Sequence, residues 1–116
     1  MIDKPLEAKW LKLRNILKVQ FGKKPDMNGI LFIIGMQELG QLKAEFSKEE
    51  KQDLMHIAMC KIMEPEGYFQ YSGMDGDGWP LYKKMTSLPN NVDLKTQENY
   101  LKSRALDYFE NIGYIV

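Results

Sequence analysis

Apolar positions along this chain change their period three times, and each change marks an element. Leu6, Trp10, Leu13, Leu17 and Phe21 recur at helical spacing, which predicts a first helix with one apolar face. Pro5 suits its first turn, where a missing N–H costs nothing, and Gly22 ends it. Residues 30–34, ILFII, are apolar on every side and flanked by Gly29 and Gly35. So short a run fits a buried strand or a buried helix. Leu39 and Leu42 extend its pattern and favour a second helix over about 27–42, opened by Asp26 after Pro25. Ser47 and Glu50 form a capping box, in which each side chain satisfies a backbone donor of the other's turn. The third helix therefore runs to about Met63 and stops before Pro65. Its widest apolar face carries Leu54, Met55, Ala58, Met59, Ile62 and Met63; the opposite side carries Asp53, His56, Ile57, Cys60 and Lys61.

The period then drops to two. GYFQYSG and GWPLYKKM are aromatic segments joined by MDGDG, which predicts a β-hairpin with glycine at the positive-φ turn positions. Pro80 lacks a donor and assigns its strand to an edge. Leu88-Pro89-Asn90-Asn91 is a loop. A last helix follows over Leu94–Asn111, with Leu101, Ala105, Tyr108, Phe109 and Ile112 on one stripe, Gly113 closing it and Tyr114-Ile115-Val116 as a docked tail. The expected fold is α+β and mainly helical: three helices, a β-hairpin and a C-terminal helix, in one domain over 1–116.

Composition narrows the class. At 116 residues, 44% hydrophobic and 28% charged, the chain suits a globular domain that buries a core without staples. A lone cysteine, Cys60, allows no internal disulfide, as in a reducing compartment. The start MIDKPLEAKW has no apolar signal segment, and no apolar run approaches the ~20 residues of a membrane span. A soluble cytoplasmic protein is the expectation. Net charge is zero but unevenly spread: residues 1–25 hold seven basic and two acidic side chains, residues 26–80 four basic and ten acidic. The basic first helix is a solvated face or, as a weaker reading, a nucleic-acid contact; a zero total weighs against the latter.

Candidate chemistry is sparse. Aligned as a calcium loop from Asp75, the turn places Trp79 at an oxygen-donor position and Thr86 where a bidentate glutamate belongs. It reads as a turn, tolerant of charge loss. His56, the only histidine, shares a helical face with Asp53 and Cys60. Glu38 on the second helix completes a candidate cluster for metal binding or acid–base chemistry. A hydrogen-bonded structural role for His56 is favoured, because HExxH and paired CxxC motifs are missing. A Cys60–His56 nucleophile lacks the helix N-terminus that lowers a thiol pKa. Met55, Met59 and Met63 read as core filler or a pliant docking surface. Tyr68, Tyr71, Trp79 and Tyr82 form a candidate partner surface, since one hairpin face must serve the core and the other is left for contacts.

LFIIGMQELGQ at 31–41, FSKEEKQDLMHIAMCKIMEPEGYFQYSG at 46–73 and DGWPLYK at 77–83 together resemble a family of small single-domain Bacteroidota proteins. That family shares an IG-x-QELG segment, a DLMHIA-like helix and an acidic-Gly-Trp-Pro turn. The resemblance spans roughly residues 30–112 and implies a cytoplasmic single-domain protein. It brings no assigned activity, cofactor or catalytic residue. The leading expectation is a non-enzymatic interaction module that binds a protein partner or itself. The alternative is a metal-dependent or acid–base enzyme centred on His56.

Overall fold

A computed structural model describes residues 3–41, 45–87 and 93–114. Among them, four α-helices and a two-stranded antiparallel hairpin follow in the predicted order: α1 (Lys4–Phe21), α2 (Met27–Leu39), α3 (Lys48–Met63), a 3-10 turn (Glu64–Glu66), β1 (Phe69–Met74), β2 (Pro80–Lys84) and α4 (Leu94–Asn111). The chain divides into two compact units, Met1–Met27 with Pro89–Val116, and Asn28–Leu88.

In the first unit, Asp3 caps α1 by accepting from the Leu6 N–H at 3.1 Å, and Gly22 closes the helix with φ 82°. That left-handed conformation favours glycine. Trp10, Leu13 and Leu17 are buried, as the stripe predicts, whereas Phe21 at its end is exposed. Asp93 caps α4 through the Thr96 N–H, and Ala105, Leu106, Tyr108 and Phe109 form its buried side. Ile112 falls just past the helix and is exposed, and Tyr114 packs on Phe109 at 5.4 Å between ring centroids. Across α1 and α4, Lys102 is 6% exposed and donates to Glu7 at 2.9 Å, with its ammonium 5.7 Å from the Trp10 ring. This lysine is tolerated inside because a carboxylate and a π-face replace part of its hydration.

In the second unit, α2 is buried at Ile30, Leu31, Ile34, Gly35 and Leu39. It ends at Leu39, short of the predicted residue 42, because Gly40 turns to φ 67° while its N–H still reaches the Met36 carbonyl at 3.1 Å. Leu42, the predicted loop at 88–91 and Ile115-Val116 of the predicted tail lie outside the described residues. The Ser47–Glu50 capping box forms as predicted: Ser47 Oγ accepts from the Glu50 N–H, and Glu50 accepts from the Ser47 N–H. α3 is buried on more of its circumference than one stripe allows. Ile57 and Cys60, expected opposite the apolar face, are buried together with Leu54, Ala58, Ile62 and Met63, while Met55 and Met59 are half-buried. The reason is tertiary: the hairpin packs against α3 and covers its second side.

β1 and β2 pair Phe69 with Lys84 and Tyr71 with Tyr82, then shift register between Tyr71 and Gly73. The bulge leaves Ser72 unpaired and re-aims the end of the hairpin. No helix of the described residues is long and apolar enough to cross a membrane.

Candidate functional site

The turn between the strands is built by one carboxylate. Asp75 Oδ1 accepts from the Asp77 N–H at 2.9 Å and the Trp79 N–H at 3.0 Å, while its backbone pairs with Trp79 and Gly78. Gly78 sits at φ 83°, and the Gln41 side-chain amide donates to the Asp77 carbonyl at 2.9 Å. Aspartate side chains mimic a backbone acceptor in turns of this kind. Asp75 is thus committed to backbone donors.

This turn forms one wall of a cleft of about 380 Å³. Glu50, Asp53, His56 and Ile57 of α3 face Asp75, Asp77, Trp79, Pro80 and Leu81 of the hairpin across it. Trp79 and Pro80 are half-buried, so the cleft has an apolar wall and an acidic rim. His56 is exposed; its ring stands edge-on to Phe69 with centroids 6.3 Å apart, and Nε2 lies 3.5 Å from Cys60 Sγ.

Cys60 itself is fully buried, and burial pushes its thiol up to about 11. The thiol therefore stays protonated at neutral pH, so a neutral S–H group is what meets Nε2. That pairing differs from the thiolate–imidazolium a nucleophile needs.

Of the four residues predicted as a cluster, Asp53 and His56 line the cleft, and Cys60 touches His56 from beneath. Glu38 is engaged elsewhere, with its carboxylate 3.9 Å from the Lys61 ammonium. It also lies close enough to Tyr82 to help raise the phenol's pKa, after burial and together with Glu64. Among the described residues, no group of three or more His, Cys, Asp and Glu side chains is placed to hold a metal ion. α3 offers His56 and Cys60 four residues apart but turns one outward and the other inward.

The aromatic surface is also divided. Tyr71 is exposed, with its N–H donated to Glu64 at 2.7 Å, while Tyr68, Trp79 and Tyr82 are half-buried. Tyr71 and Tyr82 meet edge-on at 5.7 Å. Period-two reasoning recognised these rings but missed the aliphatic part of the surface, where Met74, Leu81 and Met85 are exposed. The bulge bears on Met74, the apolar residue beyond it in β1; Leu81 is exposed by the ordinary alternation of β2, and Met85 lies past its end. Glu50 and Leu81 were missed as cleft residues because only the packing of hairpin on helix brings them together. No family model, curated protein or solved structure matches the chain.

Proposed function

We propose that this chain is a small, cytoplasmic, non-enzymatic interaction module that associates through its hairpin with a second copy or another protein. Kinship with the Bacteroidota family carrying the IG-x-QELG and Gly-Trp-Pro segments belongs to the same proposal. The observation that carries it is the set of apolar side chains the hairpin leaves in water. Met74 is 64% exposed at the turn end, Tyr71 and Leu81 are exposed along the strands and Met85 just past the open end, and β2 has no strand on its outer side among the described residues. A two-stranded ribbon is marginal in water and leans on α3 by one face. Covering the remaining apolar side chains by edge pairing or face packing supplies a driving force for association.

The test is sedimentation of the purified protein at high micromolar concentration, with cross-linking in native lysate. Wild type is expected to dimerise or to cross-link a partner through hairpin residues, and Leu81→Lys with Met85→Lys to lose that contact. A monomer whose cross-links avoid the hairpin overturns the proposal. A second reading, acid–base chemistry in the cleft, is favoured by one arrangement: Asp53, His56, Asp75 and Asp77 line the same walls. It requires a turnover that His56→Asn abolishes while the fold is retained.

A further inference from the structure

We infer that the outer face of α1 docks an acidic amphipathic helix of a protein partner, at a surface separate from the hairpin. Trp10, Leu13 and Leu17 bury one side of this helix. On the opposite side, Ala8, Leu11, Asn15 and Val19 follow one another at spacings of three, four and four residues, with Ile16 alongside. They line a shallow, mostly apolar depression together with Lys12. Val19 is 90% exposed and Leu11 47%. The stripe is thus a second apolar seam on a helix whose first seam is already buried.

Charge selects the occupant. Lys4, Lys12 and Lys18 are exposed around the stripe, and among the described residues none of them has an ion-pair partner. The one acidic side chain within α1, Glu7, is held by Lys102 and Lys95 instead. Two copies meeting through this face would oppose like charges, which disfavours a symmetric dimer here. An acidic helix pairs with the lysines and covers Leu11 and Val19 at once. Asn15 in the middle of the seam suits a helix partner, where one polar seam position sets register. It suits a lipid surface less, because insertion would strip water from its amide. A nucleic-acid duplex would use the lysines and leave the apolar seam uncovered.

The probe is a three-heptad peptide with leucine at the seam positions and glutamate at the flanking ones, whose own charges keep it from self-pairing at neutral pH. A second peptide carries lysine in place of glutamate. Binding is read by fluorescence anisotropy, with circular dichroism confirming that each variant keeps its helix content. Wild type is expected to bind the acidic peptide in a salt-sensitive manner. Lys12→Glu with Lys18→Glu should weaken that binding by about tenfold or more and create binding to the lysine peptide, as a charge swap at a rim does. Leu11→Ser with Val19→Ser should weaken binding of the acidic peptide as well, whereas the hairpin variant Leu81→Lys with Met85→Lys should leave it unchanged. The inference is overturned if the acidic peptide does not bind, or binds without regard to the α1 changes. Tighter binding to phosphatidylserine vesicles or to duplex DNA overturns it too, as does a wild-type dimer that the Leu11 and Val19 changes disperse.

Discussion

Gly35 is where a single methyl group should do the most damage. An ideal Cβ built there would lie 2.7 Å from the Leu54 carbonyl carbon, closer still to its oxygen, and 2.9 Å from Leu54 Cβ. Carbon–carbon contacts settle at about 3.5–4.0 Å, so α2 and the backbone at Leu54 must part by roughly 0.8 Å or more. Most of the obstruction is main chain in the middle of α3 and has no rotamer to escape into. Parting the helices there loosens Ile34 and Leu54, both fully buried. Overpacking of this kind costs about 1–3 kcal/mol, and a backbone clash belongs at or above the upper end. Against this, alanine is favoured over glycine inside a helix by about 1 kcal/mol. The net expectation for Gly35→Ala is a loss of about 2 kcal/mol, or roughly 6–12 °C in Tm for a chain of this size. Urea denaturation followed by circular dichroism measures it, with Gly76→Ala as the control. Gly76 has nothing within 4 Å of an added Cβ and no positive φ, so its midpoint should stay in place. A Gly35→Ala protein as stable as wild type would refute the close approach of α2 to α3.

Four further outcomes follow from the same geometry. Lys102 holds the Glu7 carboxyl below its ordinary range, so this pair stabilises the protein above the unfolded carboxylate pKa and loses its contribution as pH falls through the lowered one. Acid denaturation of Glu7→Gln should accordingly show a shallower pH dependence, and Glu7→Ala should cost about 1 kcal/mol at neutral pH, because the buried Lys102 ammonium then keeps only Glu98, 3.6 Å away. Cys60, raised from 9.0 to about 11, should react with a thiol reagent about a hundredfold more slowly than an unfolded control near pH 8, by thiolate fraction alone. Its buried neutral form also stabilises the fold below pH 9, a contribution lost between 9 and about 11, so Cys60→Ala should flatten alkaline unfolding in that window. Asp75→Ala should cost about 1 kcal/mol through two lost hydrogen bonds of an exposed turn, whereas Asp75→Asn with Asp77→Asn keeps an acceptor oxygen and should melt near wild type with or without calcium. His56→Asn should lower stability by about 1 kcal/mol through lost ring contact with Phe69 without changing zinc content in elemental analysis; near-stoichiometric zinc in wild type that the variant lacks would contradict this.

The local elements were legible because their causes are local. Pro5 and Gly22 bracket α1, Ser47 and Glu50 start α3, Pro65 stops it, and Asp-Gly pairs with alternating aromatics produce the hairpin; each acts within a few residues of backbone. Half of the candidate cluster was legible too, since Asp53 and His56 share a helical face by spacing alone and both line the cleft. The outer seam of α1 was not read, because Leu11 and Val19 stand among lysines and the Leu6–Trp10–Leu13–Leu17 stripe already supplied one apolar face. What the linear pattern misplaced depends on contacts between elements. Cys60 and Ile57 are buried because a hairpin covers the side of α3 that periodicity assigned to solvent. Glu38 lies 3.9 Å from Lys61 instead of joining His56, because the packing of α2 on α3, which no spacing within one helix encodes, decides which side chain of α3 it meets. The bulge at Ser72 shifts the hairpin register by one residue and so decides which side chains beyond it meet water. Gly35 looked like the flank of an apolar run; only the approach of Leu54 reveals that the position has no room for a side chain. Helical spacing and capping are properties of the chain, whereas burial and pairing belong to whatever the fold brings alongside.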